Sequence, residues 1–108
     1  MGARDQAEGN NATISSDEAN GTFTDEIYVA KGKKVYMDIA GSGVMTISAR
    51  YRNPGETTFR TESDDGGVAG LYEIEGAGKW WIAGCLNGDY TSGTKTVNIT
   101  GSSTDRSK

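Results

Sequence analysis

The sequence contains no histidine, and it has a single cysteine and a single proline among its 108 residues. Without histidine, imidazole metal ligands, Ser-His catalysis and imidazole pH switches are excluded. Cys85 has no partner for an intrachain disulfide, and a compact secreted scaffold of this length would usually need several bonds. No basic group near it in the sequence would activate a thiolate, so we predict that Cys85 is a small buried hydrophobic residue.

Long hydrophobic runs and clusters of positive charge are also missing. No stretch approaches the roughly 18 apolar residues needed to cross a bilayer, and the N-terminus lacks the apolar segment of a signal peptide. The formal net charge is −4, and no domain carries the clustered Lys and Arg that phosphate binding requires. We therefore expect neither a membrane nor nucleic acid as a direct partner.

Glycine, by contrast, is abundant at 16 positions, which favours short strands and tight turns over helices. Between residues 21 and 100, alternating segments end in turn-forming residues at roughly 8-to-12-residue spacing, as in sandwiches and barrels. We predict an all-β, antiparallel β-sandwich, jelly-roll or Ig-like, of about seven short strands. The clearest alternation joins Val35, Met37 and Ile39 to a second strand from 45 to 51 through a tight turn at 41–43.

The two ends of the chain differ from this β-rich region. Residues 1–20 contain only Met1 and Ile14 as large apolar side chains, so we predict a flexible, acidic N-terminal arm there. Residues 101–108 have the same polar character and are predicted to form a C-terminal tail. Residues 21–100 then form the β-sandwich domain.

The link at 53–56 allows the register of one hairpin to be predicted. A two-residue loop would set Arg50 opposite Phe59, which would place a charge beside a core aromatic ring. A three- or five-residue loop instead sets Tyr51 against Phe59 on the inside and Arg50 against Arg60 on the outside. We therefore predict a bulged hairpin with Gly55 near the left-handed region.

This register gathers Arg50, Arg52 and Arg60 into a basic patch on an outer face. Like charges opposed across a ladder are destabilising unless a neighbour neutralises them. Two interpretations stay open: a solvated face of mixed charge, or a contact with a neighbouring subunit.

Trp80 and Trp81 are adjacent in a predicted strand, so one ring should lie in the core and the other on the outer face. Trp80 joins the core if Ile82 faces inward, and Trp81 joins it if Ala83 and Cys85 do. The outer ring would be covered by the arm or a neighbouring protomer, or would serve as an anchor for a subunit or a sugar.

The sequence patterns that could indicate metal or catalytic sites are weak. The segment Asp64-Asp65-Gly66-Gly67 has carboxylates followed by glycine, as in calcium loops, but it lacks ligands at alternate positions and is predicted to be a turn. Carboxylate pairs such as Asp25-Glu26 arise by chance among 15 acidic residues. We expect no metal site, no cofactor and no enzymatic activity.

The segment Trp81-Ile82-Ala83-Gly84-Cys85, followed by Tyr90-Thr91-Ser92-Gly93-Thr94-Lys95-Thr96-Val97, resembles small β-sandwich virion structural proteins of tailed bacteriophages, of the capsid decoration or cement type. Those proteins often end in an Ala-Gly-Cys strand, a Tyr-Thr-Ser-Gly turn and a final Thr- and Val-containing strand. Upstream they have an Arg-containing strand and a turn. Here Arg50–Arg52 and 53–56 correspond to these, and Thr57-Thr58-Phe59 corresponds to a Thr-x-aromatic segment that follows the turn in those proteins. The chain departs from the pattern in having Pro54 in the turn and Phe59 in place of the usual Trp.

The resemblance implies a non-enzymatic protein that decorates or cements a phage capsid through subunit contacts. It implies a homo-oligomer, trimer or dimer, located in the virion and in the host cytoplasm during assembly. The alternative is a tail, neck or fibre module that binds a receptor or carbohydrate. The candidate subunit contacts are Arg50, Arg52, Arg60, Trp80, Trp81 and Ile14.

Overall fold

The computed structural model describes residues 8–64, 68–74 and 78–103, which form nine β-strands and no helix. The all-β prediction is therefore confirmed, with more strands than expected. They are β1 (Glu8–Ile14), β2 (Thr22–Phe23), β3 (Ile27–Val29), β4 (Lys33–Met45), β5 (Ser48–Arg52), β6 (Arg60–Asp64), β7 (Gly70–Ile74), β8 (Lys79–Cys85) and β9 (Tyr90–Ser103).

The strands form two antiparallel sheets that pack against each other. The first sheet has the order β1-β9-β4-β7, and the second has β8-β5-β6 with β2 and β3 following one another along the free side of β8. The pairs are nested: β1 with β9, β2 and β3 with β8, β4 with β7, and β5 with β6. Nested antiparallel pairs divided between two sheets are the arrangement of a jelly roll, so the Ig-like alternative is excluded.

Period-two burial builds the core between the sheets. In β4, Val35, Met37 and Ile39 are at most 2% exposed, whereas the intervening Asp38 is exposed to solvent. Alternate residues of a strand point to opposite faces, so each sheet contributes one apolar face. The buried cluster comprises Ile14, Ile27, Val29, Val35, Met37, Ile39, Met45, Ile47, Ala49, Ile74, Trp81, Ala83, Cys85, Val97 and Ile99. Cys85 is a buried free thiol, as predicted.

The prediction of a flexible arm is wrong for residues 8–14. They form β1, which pairs with β9 from Glu8 opposite Gly101 to Ile14 opposite Lys95. Ile14 is fully buried in the core, and Ala12 packs against it. Two apolar residues at period two are enough for this edge strand, because β9 pairs with its backbone and Ile14 joins a core that the rest of the chain supplies. Residues 1–7 lie outside the described residues.

The C-terminal boundary also differs. β9 continues through Gly101 to Ser103 opposite Lys33, so the sheet extends past the predicted boundary at residue 100. Gly101 is buried, and an added Cβ there would lie 2.7 Å from a methyl group of Val29. This close packing explains why a small residue ends the inward-facing series of β9. Residues 104–108 of the predicted tail lie outside the described residues.

The tight turn predicted at 41–43 does not exist. β4 runs through these residues, and Gly43 lies opposite Gly93 of β9. An added Cβ at Gly93 would lie 2.3 Å from the Cα of Gly43, so the two glycines allow close backbone approach rather than reversal of the chain. The chain crosses to the other sheet only after Met45.

β2 and β3 are separate short strands that pair with the same side of β8. Thr24 lies between them and exchanges bonds with Ala83: the Thr24 amide donates to the Ala83 carbonyl at 2.9 Å, and the Ala83 amide donates to the Thr24 hydroxyl at 3.1 Å. A side-chain oxygen thus replaces a carbonyl in the ladder with β8, which interrupts the strand without leaving the Ala83 amide unbonded.

Candidate functional site

The outer face of the sheet containing β8 carries a row of large side chains. Tyr28 of β3, Trp80 of β8 and Arg52 of β5 are direct neighbours in the strand register and therefore share a face. Trp81 is fully buried on the opposite face together with Ala83. Of the two alternatives left open by the sequence, the structure shows Trp81 in the core and Trp80 outside.

The aromatic rings of this row are packed together and only partly covered. The ring centroids of Tyr28 and Trp80 are 5.3 Å apart at an interplanar angle of 57°, a tilted arrangement that aromatic pairs favour. The guanidinium carbon of Arg52 lies 5.0 Å from the Trp80 ring centroid and 5.7 Å from that of Phe59. Both distances are within cation–π range. We call Tyr28, Arg52, Phe59 and Trp80 the arginine–aromatic patch.

Arg52 is held in place from several sides. Its Nη2 donates to Glu26 Oε1 at 2.7 Å and its Nε donates to Glu26 Oε2 at 3.3 Å, while Nη1 donates to the Glu56 carbonyl at 3.0 Å. The paired bonds to Glu26 have the bidentate geometry that fixes an arginine side chain. All three guanidinium nitrogens already donate, so Arg52 supports the rings rather than offering an open anion site.

The loop at 53–59 completes the patch. The Glu56 amide donates to the Asn53 carbonyl at 2.9 Å, and Gly55 has φ of 89°, as expected for a turn with Pro54 and glycine at its centre. This confirms the left-handed conformation predicted for Gly55. The Glu56 carboxylate accepts bonds from the amide and side chain of Asn53, so the loop is fixed where it carries Phe59 onto Arg52.

The predicted register of the β5–β6 hairpin is wrong by one residue. Tyr51 lies opposite Arg60 and Arg50 lies opposite Thr61, with a bulge just before Arg50. The prediction had placed Phe59 inside against Tyr51. β6 begins only at Arg60, because the longer loop carries Phe59 out of the ladder and over Arg52.

The predicted basic patch of three arginines is therefore not formed. Arg60 shares the face of Tyr51, opposite to that of Arg50 and Arg52, and donates to Glu56 Oε2 at 3.0 Å. Arg50 donates to Thr61 Oγ1 at 3.3 Å and to the Phe59 carbonyl at 3.2 Å. Arg52 and Arg60 form ion pairs with Glu26 and Glu56, whereas the partners of Arg50 given above are neutral oxygen atoms, so the three arginines do not form one cationic surface.

Two of the predicted contact residues are excluded by burial. Ile14 and Trp81 are both 0% exposed and belong to the core, so neither reaches a neighbouring subunit in the folded chain. Trp81 packs against Tyr51, with ring centroids 5.4 Å apart. Trp80, Arg52 and Arg50 remain as outer-face candidates.

Three residues of the site were missed from the sequence: Tyr28, Glu26 and Phe59. Tyr28 carried a usable signal, because it alternates with Ile27 and Val29, which are both buried. Tyr28 itself is 42% exposed. The roles of Glu26 and Phe59 depend on contacts across strands and from a loop, and no local pattern indicates them.

Within residues 8–64, 68–74 and 78–103, no group of three or more Cys, Asp or Glu side chains is placed to hold a metal ion. Asp64 ends β6, and the remaining residues of the predicted turn, 65–67, lie outside the described ranges. In the part of the chain that the structure describes, no helix is long and apolar enough to cross a bilayer.

Comparison of the chain with protein-family models, curated proteins and solved structures gives no match.

Proposed function

We propose that this protein is a non-enzymatic virion structural protein that decorates or cements a tailed-phage capsid, using the arginine–aromatic patch as its subunit contact. The patch is the observation that supports this most directly. Tyr, Trp and Arg are the residues most enriched at the energetic centres of protein interfaces. Here they are held by hydrogen bonds and ring packing before any partner binds, which lowers the entropy cost of association.

The fold is compatible with this role but does not establish it. Jelly rolls occur in viral capsid proteins and also in lectins, and a fold by itself does not define a function. The proposed partners are capsid or other virion subunits and further copies of this chain, as a trimer or dimer. The proposed location is the virion, with the host cytoplasm during assembly. Light scattering of the purified protein tests the oligomeric state.

The test replaces Tyr28 with alanine and measures sedimentation of the purified protein with phage particles that lack it. Tyr28 is 42% exposed, so its removal should leave the fold intact while weakening binding by about tenfold or more, as at an interface hot spot. The matched control is Leu71→Ala, because Leu71 is 67% exposed but lies on the other sheet. If both variants bind as well as the parent protein, the arginine–aromatic patch is not the subunit contact.

The second candidate is a tail, neck or fibre module that binds a receptor or carbohydrate. The tilted, partly exposed rings of Tyr28 and Trp80 favour it, because sugars stack on such aromatic surfaces. Copy number separates the two functions. A decoration protein should be as abundant in stained gels of particles as the capsid subunit, whereas a fibre module should be as scarce as other tail components.

A further inference from the structure

A second surface lies at one end of the sandwich, away from the patch. It is an open groove of about 460 Å³, lined by Gly43, Val44, Met45, Val68, Asp89 and Lys95 among others. Its walls are partly aliphatic: Val44 is 61% exposed and Val68 is 64% exposed. Grooves of this size hold a residue or a small ligand.

Lys95 is the unusual residue of this groove. It occupies an inward-facing position of β9, in the same series as Val97 and Ile99, and is only 6% exposed. Within the described residues, its side chain forms no ion pair or hydrogen bond, and no buried side-chain nitrogen or oxygen lacks a partner. The ammonium therefore reaches solvent, and the groove is the opening that Lys95 lines.

Asp89 lines the same groove but forms no ion pair with Lys95. Its backbone carbonyl accepts a bond from the Thr46 amide at 2.9 Å, which fixes this part of the wall. The groove thus presents a cation, a separate hydrogen-bond acceptor and an aliphatic surface. A ligand that complements all three has a carboxylate, an N–H group and an aliphatic side chain.

The backbone of β4 adds a further constraint on the ligand. β7 pairs with β4 only from Val35 to Ile39, whereas β4 continues to Met45. On the β7 side, no described strand pairs with 41–45, and residues 43–45 of this segment form one wall of the groove. An unpaired strand edge favours an extended peptide, which binds it by main-chain hydrogen bonds.

We propose that this groove binds the C-terminal residue of an extended polypeptide with an aliphatic side chain. The terminal carboxylate pairs with Lys95, the backbone lies along 43–45, and the side chain packs between Val44 and Val68. The last peptide N–H faces Asp89. This site is separate from the arginine–aromatic patch and does not depend on the proposed virion role.

The test titrates the ¹⁵N-labelled full-length protein with a five-residue peptide that ends in valine, while the amide signals of Gly43, Val44 and Thr91 are followed by NMR. The peptide with a free carboxylate should shift these signals saturably. The same peptide with a C-terminal amide should bind about 10- to 100-fold more weakly, the loss expected for a hydrogen bond to a charged group. Free valine should bind more weakly than the peptide, because it lacks the backbone that pairs with β4.

Two variants locate the site. Lys95→Met keeps the aliphatic stem without the charge, and should reduce binding as much as amidation of the peptide does. Val44→Ser alters a side chain that is 61% exposed, so it tests the aliphatic wall even if Lys95→Met fails to fold. Lys31→Met, at an exposed lysine in the turn before β4, is the control and should bind normally.

The proposal is overturned by absence of saturable shifts, by equal binding of acid and amide peptides, or by normal binding of the folded Lys95→Met protein. If that variant does not fold, normal binding by Val44→Ser overturns it instead. Free valine that binds as tightly as the peptide would identify a small-molecule site and overturn the chain-end assignment.

Discussion

Replacement of Ile14 with alanine tests whether the N-terminal segment belongs to the folded domain. Ile14 is 0% exposed and contacts the core from an edge strand. Truncation of a buried isoleucine to alanine costs about 2–5 kcal/mol, with the lower values where the surroundings can collapse into the space. An edge strand adjusts more readily than a central one, so we expect a loss of about 2–3 kcal/mol in the free energy of unfolding.

Such a loss is large for a domain whose whole stability is of order 5–15 kcal/mol. Urea unfolding followed by tryptophan fluorescence measures it as a lower midpoint with an unchanged slope. Thr13→Ala is the matched control, because Thr13 is an exposed neighbour on the same strand and its replacement should change stability by less than about 0.5 kcal/mol. If Ile14→Ala unfolds at the same urea concentration as this control, β1 is not part of the core and the segment is free to bind neighbouring subunits.

Two further predictions concern β8. Gly84→Ala should destabilise the fold by about 1–3 kcal/mol in urea, because the new Cβ would lie 2.0 Å from the Thr22 carbonyl oxygen; unchanged stability would contradict the β2–β8 pairing. Burial raises the pKa of the Cys85 thiol, with further contributions from Asp89 and Asp17. The folded state therefore favours the neutral thiol. The stability that this preference contributes is fully present below the ordinary pKa of a thiol, and it declines as the pH rises above that value. Cys85→Ala should lose less stability than the parent protein between pH 7 and pH 10 in urea titrations, and identical pH profiles would show that the thiol does not contribute.

Period-two alternation predicted the interior well because burial acts on each residue directly. Val35, Met37 and Ile39 face inward as expected, and so do Ile47 and Ala49. The alternation pattern does not indicate where a strand ends. The glycines at 41–43 have the composition of a turn, yet their lack of side chains serves a close contact with β9. The two uses of glycine are indistinguishable until the partner strand is known.

The same limit explains the N-terminus. A segment of low hydrophobicity cannot build a core of its own, which is why residues 1–20 were predicted to be an arm. It can still join a core that the rest of the chain supplies, and β9 offers a ladder from Lys95 to Gly101 for this purpose. Composition measures what a segment contributes by itself and not what its neighbours add.

Only part of the arginine–aromatic patch could be predicted from the sequence, because some of its residues follow from strand alternation and others depend on the length of a loop. The presence of one tryptophan on the outer face followed from the adjacency of Trp80 and Trp81 alone. The position of Phe59 followed from loop length: with residues 53–59 outside the ladder, the ring leaves the inner face and covers Arg52. The shift that made the predicted hairpin register wrong is therefore also what brings a third aromatic residue to the candidate interface. Pairing of Tyr51 with Phe59 would place that ring on the inner face and remove it from Arg52, so the register of this hairpin and the proposed contact are physically linked.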